Sequence, residues 1–447
     1  MENPRECALD VLIKVDKKEE LSHIAISNVL EKYQFSEKRD RAFFTRLVEG
    51  TLERQITIDY VADQFSKTKI RKCKPLIRAL LRMGIYQLLY MDQVPDSAAC
   101  NEAVKLAKKR GFSRLSGFVN GVLRNISRKK ETISYPKKDK NLVTYLSVTY
   151  SIPEWIIKFF MKTYDDETVE KIIESYLEDK KTTLCCLMSK GGKDVIRKEL
   201  EEENVTVEDG ELIENSVKIS DYDFLYRLRA FREGKCYVQD ESSMLCAKLA
   251  GAKEGQFVMD LCSAPGGKSL YTADQMKGSG QVLSRDLTEY KTDLIEDNIE
   301  RMGFTNMEAE VFDATILDEE HIEAADVVIA DVPCSGLGIM GKKNDIKYHI
   351  SEDGMKDLVK LQREILTNAV QYVKHGGTLI YSTCTINPEE NEKNMQWIIN
   401  NFDYEAVDIT EELPKNLKIE TAKDGYIQLL PGVHPCDGFF IAKLRRK

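Results

Sequence analysis

The segment Val327-Val328-Ile329-Ala330-Asp331-Val332-Pro333-Cys334-Ser335-Gly336 joins a β-branched, aliphatic run to a proline-cysteine pair. Such a run predicts a buried parallel strand that ends near Asp331. A similar run leads into Tyr381-Ser382-Thr383-Cys384-Thr385, and an earlier one ends at Asp260. Because ligands in open α/β sheets bind at the carboxyl ends of the strands, we expect these strand ends and both cysteines at one edge of one sheet.

Strand and helix patterns alternate from about residue 238 to the end of the chain. The strand candidates are 256–261, 281–283, 309–312, 326–330 and 378–381, with helical patterns such as 357–373 between them. This alternation predicts an α/β, Rossmann-like domain over residues 238–447, built on a doubly wound parallel sheet.

The rest of the chain predicts two further domains, so the fold class is multidomain. Residues 1–140 carry helical periodicity, with Ala8, Leu9, Leu12 and Val15 on one face, which predicts an all-α bundle. Residues 141–237 predict a small α/β connector that could contact RNA. Within it, the apolar runs 182–188 and 225–228 are compatible with either strand or helix.

The composition predicts a globular protein that has no membrane-spanning segment and no metal-binding site. The chain has 447 residues, 42% of them hydrophobic, and no apolar run approaches the roughly 18 residues of a membrane span. An apolar signal-peptide region is also missing from the amino terminus, so we expect a cytoplasmic location. The eleven cysteines are scattered without a Cys-x-x-Cys pair, and histidines number only five. We therefore expect reduced thiols and no metal site.

Charge is distributed unevenly along the chain. The net charge is -9, yet residues 71–130 contain fourteen basic and only three acidic side chains. This stretch predicts an RNA-docking surface, with Arg124, Arg128, Lys129 and Lys130 as candidates for phosphate contacts. An ordinary solvated helical surface is the alternative for any single residue of the group.

The loop Cys262-Ser263-Ala264-Pro265-Gly266-Gly267-Lys268 predicts a nucleotide-type site. Its glycines allow a tight turn before a helix. A phosphate-binding P-loop is one interpretation, but that motif requires glycine at the position of Cys262. An adenosyl-cofactor site fits better, because Asp286, Asp313 and Asp331 end successive strands and could bind ribose and adenine. Any one of these aspartates could instead be a helix cap.

The two cysteines suggest nucleophilic catalysis. A thiolate can add to C6 of a pyrimidine and make C5 reactive toward a sulfonium methyl group, after which a base removes the C5 proton. Buried cysteines without a chemical role are the alternative for either residue alone. That alternative is weaker at strand ends, where loops begin.

These motifs resemble the RNA (cytosine-5) methyltransferases of the RsmB/NOP family, which depend on S-adenosylmethionine. The matching segments are 239–243, 262–268, 331–336, 382–385, 437–442 and the run Asn387-Pro388-Glu389-Glu390-Asn391-Glu392. The amino-terminal region resembles the NusB family in 40–51, 82–88 and 118–124. This combination is similar to bacterial enzymes that methylate one cytosine of small-subunit (16S) ribosomal RNA.

The resemblance implies roles for individual residues. Cys384 would be the nucleophile and Cys334 would assist release of the methylated product. Related DNA enzymes attack from a Pro-Cys cysteine, so spacing alone leaves the two thiols open. The cofactor, S-adenosylmethionine, would be bound by Cys262, Ser263, Ala264, Pro265, Gly266, Gly267, Lys268, Asp286, Asp313 and Asp331. Asp331 would also contact the cytosine. Lys291 stands where the family pattern leads us to expect arginine, near the ribose.

The resemblance also implies the partners. The substrate would be small-subunit ribosomal RNA before assembly, with the target base rotated out of its stack. The protein would act as a monomer and would not associate with a membrane. A different class of function is a NusB-like RNA-binding or antitermination factor whose methyltransferase domain is an inactive scaffold. Two thiols at strand ends argue against that alternative, since a scaffold has no need of them.

Overall fold

The computed structural model describes residues 3–178 and 181–447. They form two compact units. The first consists of residues 3–178 together with Met340–His349, and the second consists of residues 181–339 together with Ile350–Lys447. The bounds 1–140, 141–237 and 238–447 that the sequence suggests remain predictions. Among the described residues, no helix is both long and apolar enough to cross a membrane.

The first unit is helical. Its helices are α1 (Pro4–Asp16), α2 (Ser22–Lys32), α3 (Lys38–Glu53), α4 (Gln55–Phe65), α5 (Pro75–Tyr90), α6 (Asp96–Lys109), α7 (Ser116–Arg128), α8 (Leu142–Tyr150), α9 (Glu154–Phe160) and α10 (Asp166–Ser175). The predicted face of α1 is buried in one continuous core. Asn3 caps α1 by accepting from the Arg5 amide at 3.1 Å, and Pro4 follows at the first helical position.

Many of the basic residues in 71–130 are neutralised inside this unit. Arg82 is buried and reaches Asp59 at 2.7 Å and Asp16 at 3.0 Å, and Arg78 also contacts Asp16. Further ion pairs are Lys105–Glu102, Lys109–Glu6, Arg110–Asp10 and Lys130–Asp96. The prediction of one cationic surface was therefore too broad, because partners from distant segments neutralise part of it.

Residues Met340–His349 complete the helical unit from far along the chain. The carboxylate of Asp345 accepts from the Ser22 amide at 2.8 Å, at the start of α2. The amine of Lys347 donates to the Glu53 carbonyl at 2.8 Å, and the Tyr348 hydroxyl donates to the Leu52 carbonyl at 2.9 Å. Asp345 and Lys347 are only 1% and 3% exposed, so this short segment is anchored by buried polar contacts.

The second unit begins with a small antiparallel sheet. Its elements are β1 (Thr182–Cys186), α11 (Gly192–Glu202), β2 (Thr206–Asp209), β3 (Ser216–Ser220), α12 (Arg229–Arg232) and β4 (Cys236–Val238). The strand order is β2-β3-β1-β4. The run 182–188 is thus mainly strand, whereas 225–228 is a 3-10 turn at Leu225–Arg227.

A larger, mixed sheet forms the body of this unit. Its elements are α13 (Glu241–Ala250), β5 (Phe257–Asp260), α14 (Gly267–Gln275), β6 (Gln281–Asp286), α15 (Glu289–Met302), β7 (Met307–Val311), β8 (Ala325–Asp331), α16 (Glu352–Tyr372), β9 (Val373–Thr383), α17 (Glu392–Asn401), β10 (Tyr404–Ala406), β11 (Tyr426–Leu429) and β12 (Phe439–Arg446). The order is β10-β12-β9-β8-β5-β6-β7, with β11 paired to β12. The predicted Rossmann-like α/β fold is confirmed.

The prediction of an all-parallel sheet was wrong at one side. Strands β5 to β9 pair in parallel, but β12 runs antiparallel to β9, β10 and β11. The strand β12 can enter directly beside β9 because an antiparallel neighbour needs no crossover helix. The parallel strands end together, since Asp260 pairs with Ile329 and Asp331 with Ser382. This common edge is where the candidate site lies.

Candidate active site

The two cysteines singled out by the sequence are in direct contact. Cys334 lies three residues beyond the end of β8 and Cys384 directly follows β9, and their sulfur atoms are 3.2 Å apart. Both thiols are free and partly exposed. Because β8 and β9 are parallel neighbours, their ends deliver the two side chains to the same point.

The two thiols differ in their surroundings. The contact with Cys384, burial, and the neighbouring Cys384 and Glu390 side chains together raise the pKa of the Cys334 thiol well above its ordinary value. Cys334 therefore keeps its proton at neutral pH and can donate it toward the Cys384 sulfur. Either sulfur can be the donor in this contact, and a protonated Cys334 can donate to the Cys384 sulfur.

A buried carboxylate holds the Cys334 loop in place. Glu390 is fully buried, and its Oε2 accepts from the Ser335 amide at 2.8 Å and from Gln362 Nε2 at 2.9 Å. Its Oε1 accepts from Asn387 Nδ2 at 2.8 Å. Gln362 also donates to the Pro333 carbonyl at 2.9 Å. Three donors on one carboxylate thus tie the loop after β8 to the loop after β9.

The Cys384 loop is fixed by a second set of hydrogen bonds. The Thr383 hydroxyl donates to Asn391 Oδ1 at 2.6 Å, and Asn391 Nδ2 donates to the Thr385 carbonyl at 3.1 Å. The Thr385 hydroxyl contacts the Ser335 hydroxyl at 2.7 Å, which joins the two loops again. The run 387–392, which carried no assigned chemistry in the sequence, therefore positions both thiols.

Two glycines bring a third loop against this pair. The Gly338 amide donates to the Cys384 carbonyl at 3.1 Å, and the Gly438 amide donates to the Gly338 carbonyl at 3.0 Å. A Cβ atom at Gly438 would lie 2.6 Å from Gly338 Cα. Only glycine allows the backbones to approach so closely, which explains the glycine in the segment 437–442.

The loop after β5 turns tightly into α14. The Gly266 amide donates to the Ser263 carbonyl at 2.7 Å, and Gly266 has a φ of 98°. The Ser269 hydroxyl donates to the buried Asp260 at 2.7 Å. Burial raises the pKa of the Asp260 carboxyl to about 6, while the Ser269 hydrogen bond opposes the shift. Asp260 thus closes the base of the turn.

The lysine of this loop does not point to a phosphate-binding role. Lys268 is buried, and its amine contacts the Asp331 carboxylate at 2.5 Å. Asp331 also accepts from the Ser382 hydroxyl at 2.9 Å. The charge of Asp331 raises the pKa of Lys268 well above its ordinary value against the effect of burial. This internal ion pair does not fit the P-loop alternative, in which the lysine must reach a phosphate.

Asp286 links the loop to the next strand. Its Oδ2 accepts from the Ala264 amide at 2.9 Å, and its Oδ1 accepts from the Leu287 amide and the Lys291 amine, both at 2.8 Å. Lys291, the departure from the family pattern, is therefore the ion-pair partner of the acid expected to bind ribose. The contact places a cation beside that carboxylate, as arginine would.

The remaining predicted residues lie at the same edge but make other contacts. Asp313, two residues beyond β7, accepts from the Thr315 amide at 2.9 Å and the Thr315 hydroxyl at 2.7 Å. The pKa of the Cys262 thiol is raised by burial and by neighbouring carboxylates, chiefly Asp286, so that thiol stays protonated. Sequence reasoning missed the positioning residues Gln362 and Asn391, although the run 387–392 contained part of the signal.

Two family models match the chain. One, described as 16S rRNA methyltransferase RsmB/F, matches residues 247–445, and the other, described as NusB family, matches residues 2–128. The chain is 36% identical over 448 residues to the probable ribosomal RNA small subunit methyltransferase B of Bacillus subtilis, covering 99% of this chain and 98% of the relative. It is 30% identical to the protein of that name from Synechocystis, over the full length of both.

The fold of this chain resembles those of solved structures. The crystal structure of PH0851 superposes with a TM-score of 0.83 at 26% identity and covers 99% of each chain. The structure of NSun6 from Pyrococcus horikoshii with SFG has a TM-score of 0.59 at 20% identity and covers 66% of this chain and 98% of that one. These likenesses agree with the two-part architecture described above.

Proposed function

Because the chain belongs to the family of ribosomal RNA small subunit methyltransferase B, we propose that it transfers a methyl group from S-adenosylmethionine to C5 of a cytosine in small-subunit ribosomal RNA. The observation that carries this proposal is the 3.2 Å contact between Cys334 and Cys384 beside the loop 262–268. Since ribosomal RNA is the substrate, we place the reaction in the cytoplasm.

The donor groups at the sheet edge suit S-adenosylmethionine. Its ribose hydroxyls need acceptors, and Asp286 and Asp313 follow adjoining strands where such acceptors would stand. Gly266 has a φ of 98°, and a Cβ atom at Gly267 would lie 3.0 Å from Gln239 Nε2, so the tight turn into α14 requires these glycines. We assign these residues, with the rest of the loop 262–268 and Asp331, to the cofactor. When bound, the cofactor supplies an electrophilic methyl group.

Cys384 is the nucleophile in this proposal. Its thiolate attacks C6 of the cytosine, the new carbon–sulfur bond forms, and the electron pair moves to C5. C5 then attacks the methyl group, whose bond to the donor sulfur breaks and leaves its electron pair on that sulfur. The C5 proton passes to solvent, the bond between C6 and Cys384 breaks, and the electron pair returns to the sulfur. Asp331 contacts the cytosine through the carboxylate that Lys268 and Ser382 orient.

Cys334 assists the release step. Its raised pKa keeps it protonated, so it can donate a hydrogen bond to the Cys384 sulfur, 3.2 Å away, as that sulfur leaves C6. Stabilising the leaving thiolate lowers the barrier for elimination. Without this donor, the covalent adduct between Cys384 and RNA should persist.

Transfer of labelled methyl groups to unmodified small-subunit ribosomal RNA tests the proposal. We expect activity in the wild type and in the control Cys73→Ser, which removes a partly exposed thiol of the helical unit. We expect no transfer with Cys384→Ser and a stable protein–RNA adduct with Cys334→Ser. RNA containing 5-fluorocytidine should trap the wild type but not Cys384→Ser, because fluorine at C5 blocks elimination.

Two other outcomes of these experiments would overturn the proposal or its cysteine assignments. If the wild type binds the cofactor but transfers no methyl group to the RNA, the scaffold alternative with a NusB-like binding function replaces this proposal. If Cys334→Ser loses transfer and Cys384→Ser forms the trapped adduct, the two cysteine assignments are reversed.

A further inference from the structure

A polar groove lies between α6 and α7 on the helical unit. It has a volume of about 480 Å³, and its walls are formed by Asn101, Val104, Lys105, Lys108, Ser116, Gly117, Asn120 and Arg124. Only Val104 contributes a large apolar side chain. The groove belongs entirely to the first unit and contains none of the residues assigned to methyl transfer.

Arg124 is held ready for a ligand in this groove. Its Nε donates to Asn120 Oδ1 at 3.1 Å and its Nη2 donates to Asn101 Oδ1 at 3.2 Å. Both partners are neutral amides, and among the described residues no carboxylate forms an ion pair with Arg124. The guanidinium is therefore oriented while its positive charge remains uncompensated. Preorganisation of this kind reduces the entropy that is lost on binding.

The neighbouring charges have the same sign. Lys108 is exposed and forms no ion pair within the part of the chain that the structure describes. Lys105 is paired with Glu102 at 2.7 Å but is 72% exposed, so that pair is weak. Arg128 and Lys129 are exposed at the end of α7 and extend the cationic strip beyond the groove. Arg124, Lys108, Arg128 and Lys129 therefore leave positive charge along this side of the helical unit.

The surface of α7 is open beside these cations. A Cβ atom built at Gly117 or at Gly121 meets no other atom within 4 Å. The two glycines are four residues apart, so they occupy one face of the helix. A chain that follows the groove can therefore approach the helix backbone closely.

We propose that the α6–α7 groove binds the phosphate backbone of the RNA substrate, with Arg124 and Lys108 as its phosphate ligands. The proposal rests on the proposed function, because it takes RNA as the substrate. An arginine fork and a lysine suit phosphate oxygens, and backbone contacts of this kind orient RNA without reading its sequence. A protein partner is less well matched, because the groove lacks the apolar anchors that dominate protein interfaces.

RNA binding by the full-length chain at several salt concentrations tests the groove. Replacing two phosphate ligands in Lys108→Gln/Arg124→Gln should weaken binding of the unmodified small-subunit transcript by about tenfold or more and reduce the salt slope by about 1 to 2. The matched control Lys38→Gln/Arg39→Gln removes the same charges from exposed positions on α3. It should leave both quantities close to the wild-type values.

A second variant tests the groove without removing charge. Gly117→Gln fills open space in the free protein, so it should fold normally yet obstruct the RNA and weaken binding. In both groove variants we expect a raised KM for RNA and an unchanged kcat, with cofactor affinity intact.

The outcomes separate this inference from the proposed function. If the wild type methylates RNA but the groove variants bind it as tightly as the control does, the groove is not an RNA site and the proposed function stands. A protein-docking role would be the next hypothesis for it in that case. If the wild type binds RNA through the groove but transfers no methyl group, the groove is supported and the proposed function fails.

Discussion

Lys347 gives a quantitative prediction about the stability of the helical unit. Burial lowers the pKa of its amine to about 7, with the charge of Glu53 opposing the shift and that of Arg54 adding to it. An unfolded lysine has a pKa of about 10.4, so the unfolded chain binds one more proton than the folded chain between about pH 7 and pH 10. Stability must therefore rise with pH across that interval. Below pH 7 the buried amine lowers the free energy of unfolding by its full amount, on the order of 5 kcal/mol at about 1.4 kcal/mol per pKa unit.

Replacement of Lys347 by methionine should remove this pH dependence. The variant loses the hydrogen bond to the Glu53 carbonyl, which is worth about 1 kcal/mol, but it no longer buries an amine. We expect Lys347→Met to be more stable than the wild type at pH 6.5. That advantage should shrink by about 1.5 kcal/mol between pH 7 and pH 8.5.

Urea unfolding of the full-length chain, followed by circular dichroism, measures the effect. The difference between wild type and variant at each pH cancels the titration of every other group, including the buried cysteines and tyrosines. Lys38→Met is the control, because Lys38 is exposed and its loss should give a difference that does not vary with pH. Parallel stability curves for the wild type and Lys347→Met would refute the assignment of a buried, neutral amine.

Two further substitutions probe the positioning of the thiols. Gly438→Ala would bring a methyl group within 2.6 Å of Gly338 Cα, so we expect methyl transfer to fall by about tenfold or more with cofactor binding unchanged. Wild-type activity in this variant would contradict the close-approach argument. In Glu390→Gln the new amide nitrogen must face one of the three groups that donate to the carboxylate. We expect the free energy of unfolding to fall by about 1–3 kcal/mol and methyl transfer to be slower. Wild-type stability measured by calorimetry would argue against the role of this carboxylate.

The part of the site that depends on strand ends could be predicted from the sequence. Cys334 and Cys384 follow aliphatic runs, and the parallel pairing of those runs brings the two sulfurs together. The contact between Lys268 and Asp331 could not be predicted in the same way. It depends on how far a side chain reaches across the edge of the sheet, which spacing along the chain does not specify.

Other features were missed for different physical reasons. The antiparallel strand Phe439–Arg446 ends in two arginines, which interrupt the alternation of apolar and polar residues that would predict a strand. Its pairing with Val373–Thr383 joins segments that are distant in sequence, so local patterns do not reveal it. The excess of basic residues in 71–130 overstated the cationic surface, because Arg78 and Arg82 find acids on α1 and α4. Local patterns predict elements well, whereas pairings between distant segments require the assembled structure.

The anchoring of Met340–His349 in the helical unit has a consequence for the order in which the chain can fold during synthesis. The helices α1 to α10 leave the ribosome first, but Asp345, Lys347 and Tyr348, which supply buried partners for them, are made only after strands β1 to β8. The first unit to be translated is therefore completed late. For the same reason, a truncated chain that begins after Glu178 would carry a segment whose buried polar groups have lost their partners.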